Sequence, residues 1–271
     1  MIGILRKLKT QLDTPVAYQL PVGDDLQPLN DLIGKPVKLD YTGSIYCIHC
    51  GRKTKKSYNQ GFCFPCLRDL AQCDTCIIKP ETCHYEAGTC REPEWAQDHC
   101  FQPHYVYLAN SSGLKVGITR ENQIPIRWMD QGAIQALPIA KVANRYISGL
   151  FEVILAQHIA DKTNWRAMLK GQADPMDLAD KRDALLATCQ AQIEDLSIKM
   201  GPENIELLQA ETVAIEYPVT TYPTKVSTHN FDKCPQVAGI LMGIKGQYLM
   251  LDTGVINIRK FAGYEIEFTP G

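Results

Sequence analysis

The chain has 271 residues, 45% of them hydrophobic and 21% charged, a balance that excludes disordered and fibrous classes and allows one large domain or a few small ones. Twenty-eight Lys and Arg stand against thirty Asp and Glu, for a formal net charge of −2. With no global pull toward polyanions, any contact with nucleic acid has to come from a local patch.

In the first fifteen residues Arg6, Lys7 and Lys9 interrupt the apolar run, so no signal-peptide core is present. Nowhere does the chain approach the ~18 uninterrupted apolar residues of a membrane helix. These features predict a cytoplasmic protein without a membrane partner. Short apolar runs at Val16–Leu20, Val37–Leu39 and Ile45–Tyr46, broken by turn residues such as those of Pro21–Asp25, predict an N-terminal β-rich segment over residues 1–46.

Residues 47–104 form a cysteine-rich module holding nine of the eleven cysteines. It is too poor in aliphatic residues to build a core unaided, so metal must supply one. In a reducing compartment such cysteines read as metal ligands rather than disulfides. Cys47, Cys50, Cys63 and Cys66 form two Cys-x2-Cys turns twelve residues apart, the spacing of a zinc ribbon. Four thiolates close a tetrahedron and leave no open position, so this zinc is structural. Cys73 and Cys76 repeat the motif and are followed by Cys83, Cys90 and Cys100. A second zinc with four ligands drawn from these five is expected, without a unique assignment. Arg52, Lys53, Lys55 and Lys56 lie between the first two knuckles with Tyr58, Phe62 and Phe64 nearby. Cations for phosphates and rings for bases make this hairpin a candidate nucleic-acid contact, for DNA or RNA. Its plain alternative is a solvated lysine face.

From residue 105 the pattern changes. Tyr105–Leu108 and Leu114–Ile118 flank the turn Asn110–Gly113 and predict a β-hairpin. Pro125 to Gln131, stopped by Gly132, predicts a short helix. Ile147, Leu150, Phe151, Ile154, Leu155 and His158 share one helical face. A second amphipathic helix is expected to start near Asp174 and to run through Leu185 and Leu196 to Gly201. Residues 204–271 return to strand signals, with a hairpin over Gln247–Arg259. The fold class expected is α+β, in four parts: the N-terminal segment 1–46, the zinc module 47–104, a core with its amphipathic helix over 105–203, and a C-terminal β unit over 204–271. The terminal β segments are expected to pair, as a small barrel or a sheet.

Tyr105 to Tyr107, Lys115 to Gly117, Arg127, Glu152 and Asn164 recur in the order and on the kinds of element seen in the GIY-YIG nuclease superfamily, which residues 104–168 resemble. The chain also resembles an uncharacterised prokaryotic family with a zinc ribbon beside a GIY-YIG-like core. The resemblance implies a small sheet flanked by helices that cuts phosphodiesters with Mg²⁺ or Mn²⁺. It assigns Tyr107 to activating the nucleophile, Arg127 to phosphate charge, Glu152 to the divalent metal and Asn164 to closing the motif set. Tyr105 stands where the first motif has glycine, and Lys115 where the second has tyrosine. Lys115 at that place is expected to contact a phosphate instead, or to mark a site that binds without cutting. Phosphodiester hydrolysis needs a base, a cation and a metal-binding carboxylate, and all three residue types are present. The expectation is a zinc-stabilised nucleic-acid-binding protein and metal-dependent endonuclease, with a non-catalytic adaptor or a protein-interaction scaffold as alternatives.

Overall fold

The computed structural model describes residues 1–271. The N-terminal strands are β1 (Ile2–Ile4), β2 (Lys9–Gln11), β3 (Ala17–Val22), β4 (Asp25–Pro28), β5 (Pro36–Tyr46) and β6 (Lys53–Thr54). The cysteine module adds two short helices, α1 (Phe64–Asp69) and α2 (Pro93–His99). The central unit runs β7 (His104–Asn110), β8 (Leu114–Arg120), α3 (Ile126–Asp130), β9 (Gln135–Val142), α4 (Arg145–Leu155), α5 (Trp165–Leu169), α6 (Leu178–Thr188), α7 (Gln190–Met200), β10 (Ile205–Leu207) and β11 (Val213–Ala214). Four strands finish the chain: β12 (Gln236–Lys245), β13 (Tyr248–Leu251), β14 (Gly254–Asn257) and β15 (Tyr264–Pro270).

These strands make three antiparallel sheets. The two ends of the chain share one of them, ordered β1-β15-β5-β12-β13-β14, with β6 extending the far end of β5. The expected pairing of the terminal β segments is therefore present, as an open sheet rather than a barrel. Closure would need β1 to meet β14. Instead the turn between β3 and β4 stands against β1: Gly23 N donates to Ile4 O at 3.0 Å, and a Cβ on Gly3 would lie 2.6 Å from Gly23 N. The other sheets are β2-β3-β4 and β10-β9-β7-β8, with β11 on the remaining length of β9.

Period-2 alternation and helical stripes divide the apolar residues between two main cores. One joins Tyr18, Leu39, Ile266 and Phe268 of the β-rich parts to Trp128 and Met129 of α3. The other packs Val106, Val116, Leu137 and Ile139 of the central sheet under Ile147, Phe151 and Leu155 of α4. Each such side chain fully buried is worth about 1.5–3 kcal/mol. Asn144 caps α4, its Oδ1 accepting from Ile147 N at 3.0 Å. The helix ends at Leu155, and His158, expected on the buried face, is exposed beyond it. The second amphipathic stretch begins at Asp177 rather than Asp174, Asp177 Oδ1 accepting from Ala179 N and Asp180 N at 3.0 Å each. It breaks into α6 and α7 at Cys189, and the bend lets Leu185 and Leu196 enter the same core.

Candidate functional site

The first metal site follows directly from its turns. Gly51 and Gly61 take positive φ of 72° and 135°, conformations that glycine adopts without steric cost. Gly51 N closes the first knuckle on Cys47 O at 2.9 Å. The sulfurs of Cys47, Cys50, Cys63 and Cys66 lie within 4.8 Å of one another, with Cys50 Sγ and Cys63 Sγ 3.7 Å apart. A zinc with Zn–S bonds of about 2.3 Å holds its sulfurs ~3.8 Å apart, so the cluster suits a structural zinc. Burial works against the Cys47 thiolate, but the backbone N–H groups of Cys50, Cys63 and His49 outweigh it and bring the thiol down to about 6. His49 points to the exposed side, next to Gln72. Arg52, Lys53, Lys55 and Lys56 lie along this ribbon, and Lys56 Nζ sits 5.1 Å from the centre of the Tyr58 ring; all four are exposed.

The remaining cysteines of the module separate into two groups. Cys73 packs beside the first site, against the cluster of Cys47, Phe62 and Cys63. Cys76, Cys83, Cys90 and Cys100 instead line a single pocket with Trp95 and Phe101. At its rim Asp74, Cys76 and His84 have ligand atoms within 4.8 Å of one another, a second place where a metal ion could be held.

A cleft of about 650 Å³ opens against the central unit. Tyr107 on β7, Lys115 and Gly117 on β8, Arg127 on α3 and Glu152 on α4 all line it. The β7–β8 hairpin supplies the register, Tyr107 standing opposite Gly117, and α4 brings Glu152 on the flank of its buried stripe. Gln131 links the two strand residues: its Oε1 accepts from Tyr107 OH at 3.0 Å and from Lys115 Nζ at 2.5 Å. The walls carry seven cations, namely Lys7, Lys115, Arg120, Arg127, Arg145, Lys162 and Arg259, against the carboxylates of Asp130, Glu152 and Asp161. Asp130 is already neutralised by Lys7 at 2.8 Å. Such a concentration of one sign in a concave site attracts anions.

Protonation inside the cleft is displaced from ordinary values. Burial, and then the charge of Asp161, pushes Glu152 up to about 7, while Arg127 and Arg145 oppose the rise. Burial and the Arg127 charge bring Lys115 down to about 8 against the pull of Glu152 and Asp161. Burial raises the Tyr107 phenol, against the attraction of Arg127. Lys115 and Glu152 are thus the groups that exchange a proton near neutral pH, and the phenol stays protonated there.

Four of the five residues assigned by resemblance meet in this cleft, and Asn164 does not. Its Oδ1 caps α5 by accepting from Ala167 N at 3.2 Å, and its own N–H donates to Ser112 Oγ at 2.9 Å. Gln131, Asp161, Lys162 and Arg145 also belong to the cleft, although the motifs do not mark them. Gln131 follows Asp130 at the helix end, and Asp161 and Lys162 shortly precede Asn164, so proximity in sequence was an available signal for these three. Lys7 and Arg259 reach the cleft only through the terminal β segments, and nothing local marks them.

The fold and sites define an α+β protein of three antiparallel sheets with a four-cysteine cluster that could hold a metal ion. A model of the family described as "Protein of unknown function (DUF2797)" matches residues 34–266, and the chain belongs to that family. The match takes in both cysteine groups and every named residue of the cleft except Lys7, and begins beyond β4. No curated protein and no solved structure matches the chain. No helix is long and apolar enough to cross a membrane.

Proposed function

We propose that this is a zinc-stabilised nucleic-acid-binding protein whose cleft hydrolyses a phosphodiester in the manner of the GIY-YIG superfamily. The observation that carries the reading is the meeting of Tyr107, Lys115, Arg127 and Glu152, from four different elements, in one cationic cleft. Arg127 forms no ion pair within the chain, which leaves its charge for a phosphate. Glu152, whose carboxyl is raised by burial and then by the charge of Asp161, fits a divalent cation, because a positive ion relieves both effects. When bound, Mg²⁺ or Mn²⁺ would stabilise negative charge on the phosphoryl oxygens.

Lys115 stands in place of a tyrosine and takes over its role. A buried amine brought down to about 8 accepts a proton from an attacking water at mildly alkaline pH. Gln131 fixes its position by hydrogen bonding, and the same amide oxygen holds the Tyr107 hydroxyl. The exposed basic ribbon extends the positive surface toward the cleft, which Asn59, Gln60 and Phe62 of the ribbon help to line. The test is cleavage of a panel of DNA and structured RNA with Mg²⁺ or Mn²⁺ by the full chain and by Glu152→Ala. A loss of at least about 10²-fold in the variant is expected. Absence of cleavage by the unmodified protein, or equal cleavage by both, would sink the enzymatic reading.

One observation favours a second reading, an adaptor that binds without cutting. Tyr107 is 0% exposed and its hydroxyl is already engaged by Gln131. On that reading Arg127→Ala weakens binding of nucleic acid while no product forms with either metal.

A further inference from the structure

The pocket lined by Cys76, Cys83, Cys90 and Cys100 differs in kind from the first metal site. There the four sulfurs are drawn together as one zinc requires, within 4.8 Å of one another. The sulfurs of Cys83, Cys90 and Cys100 form no such tight group; in this part of the module only Asp74, Cys76 and His84 do. Asp74 and His84 are held in a polar network with each other, His84 Nε2 lying 3.5 Å from Asp74 Oδ2, and with Arg91 and Thr89. Asp74 Oδ2 pairs with Arg91 Nε at 2.7 Å, its Oδ1 accepts from Cys76 N at 3.5 Å, and His84 Nδ1 lies 2.8 Å from Thr89 Oγ1. What remains is four thiols spread around one pocket, without the close approach that a single shared ion demands.

Four cysteines around one pocket, no three of them within 4.8 Å of one another, suit a cubane, in which each thiolate binds a different iron at a corner rather than one shared metal. We propose that Cys76, Cys83, Cys90 and Cys100 hold a [4Fe–4S] cluster, separate from the zinc of the first site. Each thiol gives up its proton to solvent and bonds one iron of the cluster. The proposal is independent of the reading of the cleft.

Three further observations agree with it. Residues 74–103 contribute no buried apolar cluster of their own, so an inorganic core has to organise their short turns. Trp95 and Phe101 line the pocket, apolar neighbours of the kind that tune the surroundings of a cluster. The buried Nε of Arg145 has no hydrogen-bond partner, and the charge of this guanidinium acts on Cys76 and Cys100. A cation with a free donor suits the net negative charge of a thiolate-ligated cluster.

Its place in the fold gives the cluster a consequence. Arg145 N donates to Cys100 O at 2.8 Å, and an Arg145 guanidinium nitrogen donates to Ile77 O. Gly149 of α4 leaves room for the turn at Pro80, since a Cβ there would lie 2.6 Å from Pro80 Cβ. The module is therefore seated on the helix that carries Glu152.

The experiment is purification of the full chain without oxygen from cells supplied with both iron and zinc. Iron, acid-labile sulfide and zinc are then measured, with the visible absorption before and after reduction. About four iron, about four sulfide and about one zinc per chain are expected, with a brown colour that bleaches on reduction. Cys83→Ser and Cys100→Ser should lose the iron and keep the zinc, Cys47→Ser should do the reverse, and Cys73→Ser should keep both. About two zinc with neither iron nor sulfide in the unmodified chain would overturn the proposal, even if every variant failed to fold. Loss of iron in Cys73→Ser with retention in Cys83→Ser would overturn the ligand set.

Discussion

Tyr107 and Gly117 are opposite one another across β7 and β8, and the Tyr107 ring lies over the glycine so closely that a Cβ at 117 would stand 2.6 Å from the phenol oxygen. The pair explains why a glycine occupies the interior of a strand, where it otherwise weakens the structure. Gly117→Ala forces the buried ring out of its packing with Trp128, 6.0 Å away centre to centre. A destabilisation of about 1–3 kcal/mol is expected from such overpacking, read as a lower urea midpoint with unchanged slope. A change within about 0.5 kcal/mol would show that the ring moves freely.

Glu152 carries a pH signature. Burial and Asp161 raise its carboxyl in the folded state to about 7 from 4.5, with Glu81 adding to the rise and Arg127 and Arg145 opposing it. Between these values the folded protein binds more protons than the unfolded one, so stability falls as pH rises through this window and is level above it. Glu152→Gln removes the penalty. Relative to the unmodified chain the variant should gain on the order of 1–3 kcal/mol at pH 8 compared with pH 4, measured by urea unfolding at each pH. Added Mg²⁺ should stabilise the unmodified chain at pH 8 and not the variant. Parallel pH dependences in the two proteins would remove Glu152 as the source.

Lys115 has the opposite dependence. Its amine is lowered in the fold to about 8 from 10.5, so the unfolded chain binds the extra proton between those values and stability rises across that interval. Lys115→Met should abolish this rise. If the cleft cuts phosphodiesters, the same variant should also lose the increase in rate through about pH 8. Cleavage with an unaltered pH profile would place the base elsewhere.

Removing the first zinc should undo the ribbon. Cys47, Cys63 and Phe62 are the buried residues of that small core, and without the metal the two knuckles keep little besides this core and the bond from Ile48 N to Gly61 O at 2.9 Å. Cys63→Ser is expected to lose about one zinc per chain and to open the Arg52–Lys56 hairpin to trypsin. The β7–β8 unit, with its own core under α4, should stay protected.

The exposed lysines provide a salt test. Replacing Lys53, Lys55 and Lys56 together with Ala should weaken nucleic-acid binding and flatten its dependence on salt. On a duplex the slope should fall by roughly 0.9 for each phosphate that the variant no longer neutralises. Fluorescence anisotropy across a salt series reads both, and an unchanged slope would mean that the ribbon does not touch phosphate.

Much of the molecule could be read locally. The ribbon cysteines, the β7–β8 hairpin, the short helix after Pro125 and the buried stripe of α4 depend on residues a few positions apart, where spacing and side-chain type decide the geometry. The break at Cys189 has no local signal because the apolar stripe runs on through it. Only the core that receives Leu185 and Leu196 requires the bend. The shift of the helix start from Asp174 to Asp177 has a similar cause: the two aspartates are equivalent as caps, and the packing of Leu178 in that core selects the second.

What the sequence determined by itself was therefore chemistry at short range: four thiols spaced to suit one metal ion, a basic hairpin between them, and a tyrosine, a lysine, an arginine and a glutamate in a set order. Tertiary structure decided which of them meet. It placed Tyr107, Lys115, Arg127 and Glu152 around one cleft and Asn164 outside it. It also moved Cys73 to the first site and gathered the other four cysteines of the module around one pocket. It joined the chain ends in an open sheet and brought both Lys7 and Gln247 to Asp130, each more than a hundred positions away along the chain. Such pairings depend on how whole layers bury their apolar faces, and no local pattern encodes them.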